Sequence, residues 1–163
     1  MGLFAPKLYH EFWGRVKHFR VGVCTYGNLA SPAPQYRMDQ KTLLALATKT
    51  AATTWANLAR VYPELTTPCP VVVLNGRLKT TAGRSFYWLR KIDLSTSLFA
   101  EHPFDFVQDT IPHELCHQAA WDLFQEKGHG EPWRRVMLSI GVQPNRCHQM
   151  TNTVWEAQKA ARR

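Results

Sequence analysis

His113-Glu114-Leu115-Cys116-His117 is the stretch of this chain whose residue types and spacing could do chemistry. On a helix, residues four apart share a face, with Cβ atoms about 6 Å apart. Two imidazoles placed this way can reach one Zn²⁺ at about 2.0–2.1 Å. Glu114, directly after the first histidine, can hold a metal-bound water and take its proton. A catalytic zinc takes three protein ligands and keeps one position open, so one more ligand is required. The flanking residues Val107, Ile111, Leu115, Ala119, Ala120 and Leu123 are apolar and predict a buried helix. A buried histidine pair beside a glutamate needs partners, and a metal supplies them.

Downstream candidates for the third ligand are Asp122, Glu126, His129, Glu131 and His148. His129 stands between Gly128 and Gly130, which allow a tight turn that returns its side chain to the metal. At about 100° per residue, Asp122 falls off the His113/His117 face, and Glu126 lies too far along the axis. His129 is the favoured ligand, with Glu131 as its carboxylate rival. His148, after a Pro-Asn turn, is a candidate for the layer behind the ligands. Cys116 reads as a small core residue rather than a ligand.

The elements that must position these groups follow from periodicity. Residues 5–19 read as a helix and 27–37 as a loop. Asp39 caps a long helix in which Leu43, Leu44, Ala47, Ala51, Trp55, Leu58 and Ala59 recur at three and four, with Pro63 as its stop. Val71–Leu74 reads as a strand, Asn75-Gly76 as a hairpin turn, and 77–81 as the partner strand. Ser85–Trp88 and Lys91–Leu94 read as further strands. Residues 104–126 form one helix or two, with Pro112 at a kink or in a first turn. Helices at 131–140 and 152–162 follow. Helices, then a small, mostly antiparallel sheet, then helices make an α+β fold.

Length and composition bound the rest. The 163 residues, 45% hydrophobic and 20% charged, suit one globular unit with a real core. No apolar run approaches the ~18 residues of a membrane span, and Met1–Pro6 lacks a signal peptide's apolar stretch. Cys24, Cys69, Cys116 and Cys147 are scattered, which favours a reducing, cytoplasmic setting. The net charge is +8. Residues 1–37, 67–100 and 129–163 each carry +4, residues 38–66 carry +1, and residues 101–128 carry −5. Such a basic chain favours a polyanionic neighbour, most simply nucleic acid. Trp88, with Arg90 and Lys91 beside it, is the best candidate for stacking on a base, and Arg84 joins the basic group. The remaining tryptophans read mainly as core, with Trp133 packed behind His129. His10, His18 and His102 read as surface residues.

His-Glu-Leu-Cys-His followed by Gly-His-Gly-Glu-Pro-Trp resembles the SprT-like zinc metalloprotease family. Gly76–Arg84 followed by Ile92-Asp93-Leu94-Ser95 resembles the family's stretch ahead of its active-site helix, and Ile111–Leu115 resembles its bacterial members. Gly141–His148 resembles the link that often leads to a C-terminal zinc ribbon. The resemblance covers about residues 40–150. It implies a zincin-like domain at 38–150. Charge and periodicity set a basic N-terminal extension (1–37) and a basic C-terminal helix (151–163) beside it, within one globular unit. The resemblance implies a zinc endopeptidase with His113, His117 and His129 on the metal and Glu114 as general base. Its substrates would be proteins on or crosslinked to DNA, and its DNA partner single-stranded or junction DNA. No membrane partner is expected from the composition, and a monomer is the favoured expectation, with the oligomeric state open. No Cys-x-x-Cys pair follows Cys147 within these 163 residues, so no ribbon is expected among them, and the two basic segments are the expected substitutes for DNA contact. Substrate would add as a strand to an exposed sheet edge near Ser85–Trp88. Tyr87 and Arg84 are candidates for a second oxyanion donor. The contrasting reading is a non-catalytic binding module, its zinc closed by a fourth ligand from His148 or Glu131.

Overall fold

Asp39 opens the first described helix as the sequence predicts. Its side chain accepts the backbone N–H of Thr42 at 2.8 Å, satisfying a donor that the helix leaves free. The computed structural model describes residues 38–162. Residues Arg37–Arg163 form one compact unit. The expected helix over 5–19 and loop over 27–37, with Trp13, His10, His18 and Cys24, lie outside the described residues.

Helix α1 (Gln40–Val61) buries Leu43, Ala47, Ala51, Trp55 and Leu58 on one face, and Pro63 follows its end. Leu44, expected on that face, is exposed. Strands β1 (Val71–Asn75), β2 (Gly83–Phe86) and β3 (Lys91–Ser95) form one sheet in the order β1-β3-β2. β1 pairs with β3 in parallel, with Val73 beside Asp93, and β2 pairs with β3 antiparallel, with Gly83 beside Leu94. β3 is central and buried from Ile92 to Ser95.

The sheet is therefore mixed, and the expected hairpin at Asn75-Gly76 does not form. A two-residue hairpin turn of the type this pair favours needs positive φ at both positions, and neither residue has it. Asn75 instead uses its side chain as a bracket. Its amide donates to Asp93 at 2.8 Å and its carbonyl accepts from the Arg77 backbone at 2.9 Å. The chain over 77–81 is not a strand, and it buries Leu78 on its way to β2.

After β3, Ser95 caps α2 (Thr96–Glu101) through the Leu98 backbone N–H. A helical turn (Pro103–Asp105) and a π-helical stretch (Phe106–Thr110) lead into α3 (Ile111–Phe124), with Pro112 in its first turn. Both expectations for this region are met in part: the chain changes helical pitch before Ile111, and the proline sits where its missing N–H costs nothing. α3 is buried over Glu114–Ala120 and packs against α1, β2 and α4 (Glu131–Ser139). α5 (Thr153–Ala160) closes the described chain. Asn152 caps α5, and the Thr153 backbone and hydroxyl both donate to Glu101 at 2.9 Å. The core joins all these layers through Leu58, Leu94, Phe99, Phe106, Leu115 and Trp133. No helix among the described residues is long and apolar enough to cross a membrane.

Candidate metal centre and catalytic cleft

Helix α3 carries His113, Glu114 and His117, and the turn after it returns His129. Gln125 ends α3 in the left-handed conformation, and Gly128 has φ 154°, which a side chain would strain. Gly130 has φ −70°, which any residue adopts, and a Cβ there would meet only the flexible end of the Glu126 side chain at 2.7 Å. Gly128 thus lets the chain reverse ahead of His129, with Pro132 starting α4 soon afterwards.

The three Nε2 atoms form a nearly equilateral triangle. His113 to His117 is 3.2 Å, His117 to His129 is 3.1 Å, and His129 to His113 is 3.2 Å. A neutral ring nitrogen either donates or accepts, never both. In a triangle, at least one pair must therefore be donor against donor or lone pair against lone pair. Hydrogen bonds cannot satisfy this arrangement, whereas a cation facing three lone pairs can. Tetrahedral ligands at about 2.0–2.1 Å from zinc stand about 3.3 Å apart, close to the separations seen. Three imidazoles suit zinc and other late first-row ions. Among the described residues, this is the one group of three or more His, Cys, Asp or Glu placed to hold a metal ion.

Trp133 packs behind the triad, with ring centroids 4.9, 5.2 and 4.5 Å from those of His113, His117 and His129. Burial and the neighbouring histidines hold the rings neutral. Burial first, then His129, pushes His113 down to about 4, although the Asn145 backbone pulls the other way. Burial, then His113 and His129, pushes His117 down to about 3. His129 is lowered by burial and by Arg146. Neutral imidazoles are the form that binds metal.

Glu114 is 7% exposed, and burial pushes its carboxyl up to about 8, with Arg84 and the Ser85 backbone opposing. A carboxyl tuned near neutrality suits a group that takes and returns a proton. β2 brackets it. The Ser85 hydroxyl donates to the Glu114 backbone carbonyl at 3.0 Å, and Gly83 lies against its side chain. A Cβ on Gly83 would stand 2.7 Å from Glu114 Cγ and 2.8 Å from Oε1. In the sequence Gly83 appears only as part of the Gly76–Arg84 stretch, with no role of its own. The available signal is a glycine starting the strand next to the helix of His113 and His117.

A cleft of about 600 Å³ opens over this centre. Gly83, Arg84, Ser85 and Tyr87 line one side, and Asn145 to His148 line another. The other candidate ligands sit elsewhere. Glu131 is largely exposed, 3.9 Å from Arg135. His148 places Nε2 3.0 Å from the Thr80 carbonyl, at the cleft wall. Asp122 accepts from Arg90 at 2.8 Å and from Thr67 at 2.7 Å. Glu126 lies against Gly130. Cys116 is fully buried, its thiol pushed well up by that burial. His102 is partly buried, with Nε2 2.8 Å from the Thr151 carbonyl.

The basic and aromatic candidates separate. Arg84 is exposed at the cleft. Arg90 turns inward to Asp122 and the Pro68 carbonyl, and Lys91 reaches Asp93 at 3.0 Å. Trp88 is 77% exposed and edge-on to Trp121 at 4.9 Å, with Lys127 over both rings. Trp121 reads as core in the sequence, with the other tryptophans, because it lies on the helix that carries two of the histidines, and Lys127 carries no sequence signal because a lone lysine reads as solvated surface.

The SprT-like family matches residues 47–153. The chain is 35% identical over 88 residues to Protein SprT of Vibrio parahaemolyticus, covering 53% of each chain. It is 36% identical over 94 residues to Protein SprT of Salmonella arizonae, covering 56% of this chain and 53% of the relative. Protein SprT of Vibrio atlanticus is 35% identical over 80 residues, 48% of each chain. The chain thus spans about half the length of the curated relatives it matches. No solved structure matches it. With the family's match running from within α1 to the start of α5 and enclosing all three histidines and Glu114, the chain belongs to the SprT-like family.

Proposed function

We propose that this protein is a zinc-dependent endopeptidase with a zincin-like site, acting on proteins associated with or crosslinked to DNA. The observation that carries the reading is the convergence of three Nε2 atoms within 3.2 Å of one another beside the buried carboxyl of Glu114. His113, His117 and His129 would hold the Zn²⁺. When bound, such an ion polarises a carbonyl and acidifies water. Glu114 takes the water's proton on its carboxylate as the oxygen attacks the peptide carbon. It then hands that proton to the amine nitrogen as the C–N bond breaks. Among the described residues β2 is an edge strand at the cleft, with only β3 beside it. An extended substrate segment that pairs with this edge is drawn across the metal centre.

The DNA part of the reading is supported by the +8 charge and by the exposed Trp88 with Lys127 beside it. Arg84 and the basic segments 1–37 and 151–163 would contribute phosphate contacts. A cytoplasmic setting and a monomer belong to the same proposal.

The test is to incubate wild type and Glu114→Gln with a DNA-binding protein, with and without single-stranded DNA. Fragments from wild type alone, more abundant with DNA, are the expected result. A folded, zinc-loaded wild type that yields no fragments from any protein substrate contradicts the peptidase reading. Equal cleavage with and without DNA contradicts only the DNA part.

A further inference from the structure

Peptide hydrolysis passes through a tetrahedral species whose oxyanion is stabilised by each preorganised donor aimed at it. Three histidines and Glu114 account for metal binding and proton transfer, but none of them is free to donate to that oxygen. The cleft wall opposite them must supply the donor if one exists. Tyr87 is on that wall.

Tyr87 is held more firmly than an ordinary strand-end residue. It begins the short 3₁₀ turn Tyr87–Leu89 between β2 and β3. Its carbonyl accepts from the side chain of Gln118 at 3.3 Å and from the Arg90 backbone at 3.2 Å. Gln118 is completely buried and follows His117 directly on α3. The same Gln118 amide reaches Asp122 at 3.2 Å, which in turn holds Arg90, the left-handed residue that closes the turn. The Tyr87 ring leans on Trp121 at 5.5 Å. Backbone and ring are therefore both fixed from the helix that carries the ligands. Burial first, then Glu114 and Glu126, raises the pKa of the phenol and keeps its proton on.

We propose that Tyr87 is a catalytic residue whose hydroxyl donates a hydrogen bond to the oxyanion of the tetrahedral species, with Gln118 as the residue that positions it. The proton stays on the phenol throughout, and no bond to Tyr87 forms or breaks. A donor fixed in advance costs no reorganisation when charge develops, which is why a buried glutamine shared between the Tyr87 carbonyl and Asp122 is useful here.

This inference rests on the peptidase reading, and the experiment separates the two. Wild type and Tyr87→Phe are compared for kcat and KM on a peptide substrate, for metal content and Tm, and for affinity toward a phosphonamidate peptide that mimics the tetrahedral species. The expected result is a kcat lower by about 10²-fold with KM, metal content and Tm unchanged. Affinity for the phosphonamidate should fall by at least tenfold, while affinity for the product peptide is kept. Unchanged kcat and unchanged phosphonamidate affinity in Tyr87→Phe overturn the inference and leave the peptidase reading intact. A rise in KM alone also overturns it, since it would make Tyr87 a ground-state contact. A wild type without turnover on any peptide overturns the peptidase reading and this inference with it. Gln118→Leu is the check on positioning: it should lower kcat in the Tyr87 background and have little further effect on kcat in Tyr87→Phe.

Discussion

Replacing Gly83 with alanine adds one carbon at the most crowded point of the cleft. The new Cβ would stand 2.7 Å from Glu114 Cγ, 2.8 Å from Oε1 and 3.0 Å from Cδ. Ordinary carbon contacts begin near about 3.5 Å, so a displacement of roughly 0.8 Å is required. The contact is with Cγ as well as the tip, so rotating the carboxylate alone does not relieve it. β2 cannot easily move away, because Gly83 is in register with Leu94 and Ser85 is bonded to the Glu114 carbonyl. Glu114 must therefore give way. Misplacing a catalytic group by about 1 Å costs on the order of 10²-fold in rate. Gly83→Ala should thus lose about two orders of magnitude in kcat while keeping its metal, since the three atoms nearest the added carbon all belong to Glu114 and none to a histidine. Its backbone is not in the left-handed region, so the fold should survive with a modest change in Tm. The assay is steady-state cleavage of a quenched peptide beside metal analysis of the same preparation. A kcat within threefold of wild type would refute the claim that Gly83 sets the position of Glu114.

His129→Ala should lower zinc affinity and Tm together, read by metal analysis and by thermal melts with and without chelator. Full zinc occupancy in this variant would move the third ligand elsewhere. In the metal-free protein, His113 and His117 are held at about 4 and 3 against 6.5 unfolded, so the unfolded chain binds more protons below pH 6.5 and stability falls as pH drops toward 4. Glu114, at about 8 against 4.5, binds its proton more tightly when folded, so its contribution is full below 4.5 and is lost as pH rises through 8. The two trends meet near pH 6.5, and melts of chelated protein should peak there. Glu114→Gln should abolish the decline from 6.5 to 8, and an unchanged decline would mean another group causes it. Binding to single-stranded DNA should weaken steeply with added salt, measured by fluorescence anisotropy, and a salt-independent affinity would contradict a phosphate-contact mode.

The chemistry of this chain is written in short-range spacing, and that part is legible in the sequence. Two histidines four apart need only a helix to converge, and His129 needs only the turn at Gly128 that brings the chain back. The capped start of α1, Pro112 in a first turn and Trp133 behind the ligands are likewise local consequences of residue type. Sheet pairing is not local. Asn75-Gly76 carries the strongest hairpin signal in the chain, yet β1 takes β3 as its parallel partner, and the Asn75 side chain bonds Asp93 of β3 instead of closing a turn. The roles of Gly83 and Gln118 were invisible for the same reason. Their importance comes from what another segment places against them, the Glu114 side chain in one case and the Tyr87 carbonyl in the other. Arg90 and Lys91 look like a basic surface pair in sequence, but Asp122 and Asp93 meet them in the fold.

The central claim is that one metal held by His113, His117 and His129 works with Glu114 as the base. The most direct test is to measure metal content and peptide turnover in wild type and Glu114→Gln from the same purification. The account predicts one equivalent of zinc in both proteins and turnover in wild type only. Undiminished turnover by zinc-loaded Glu114→Gln would contradict it.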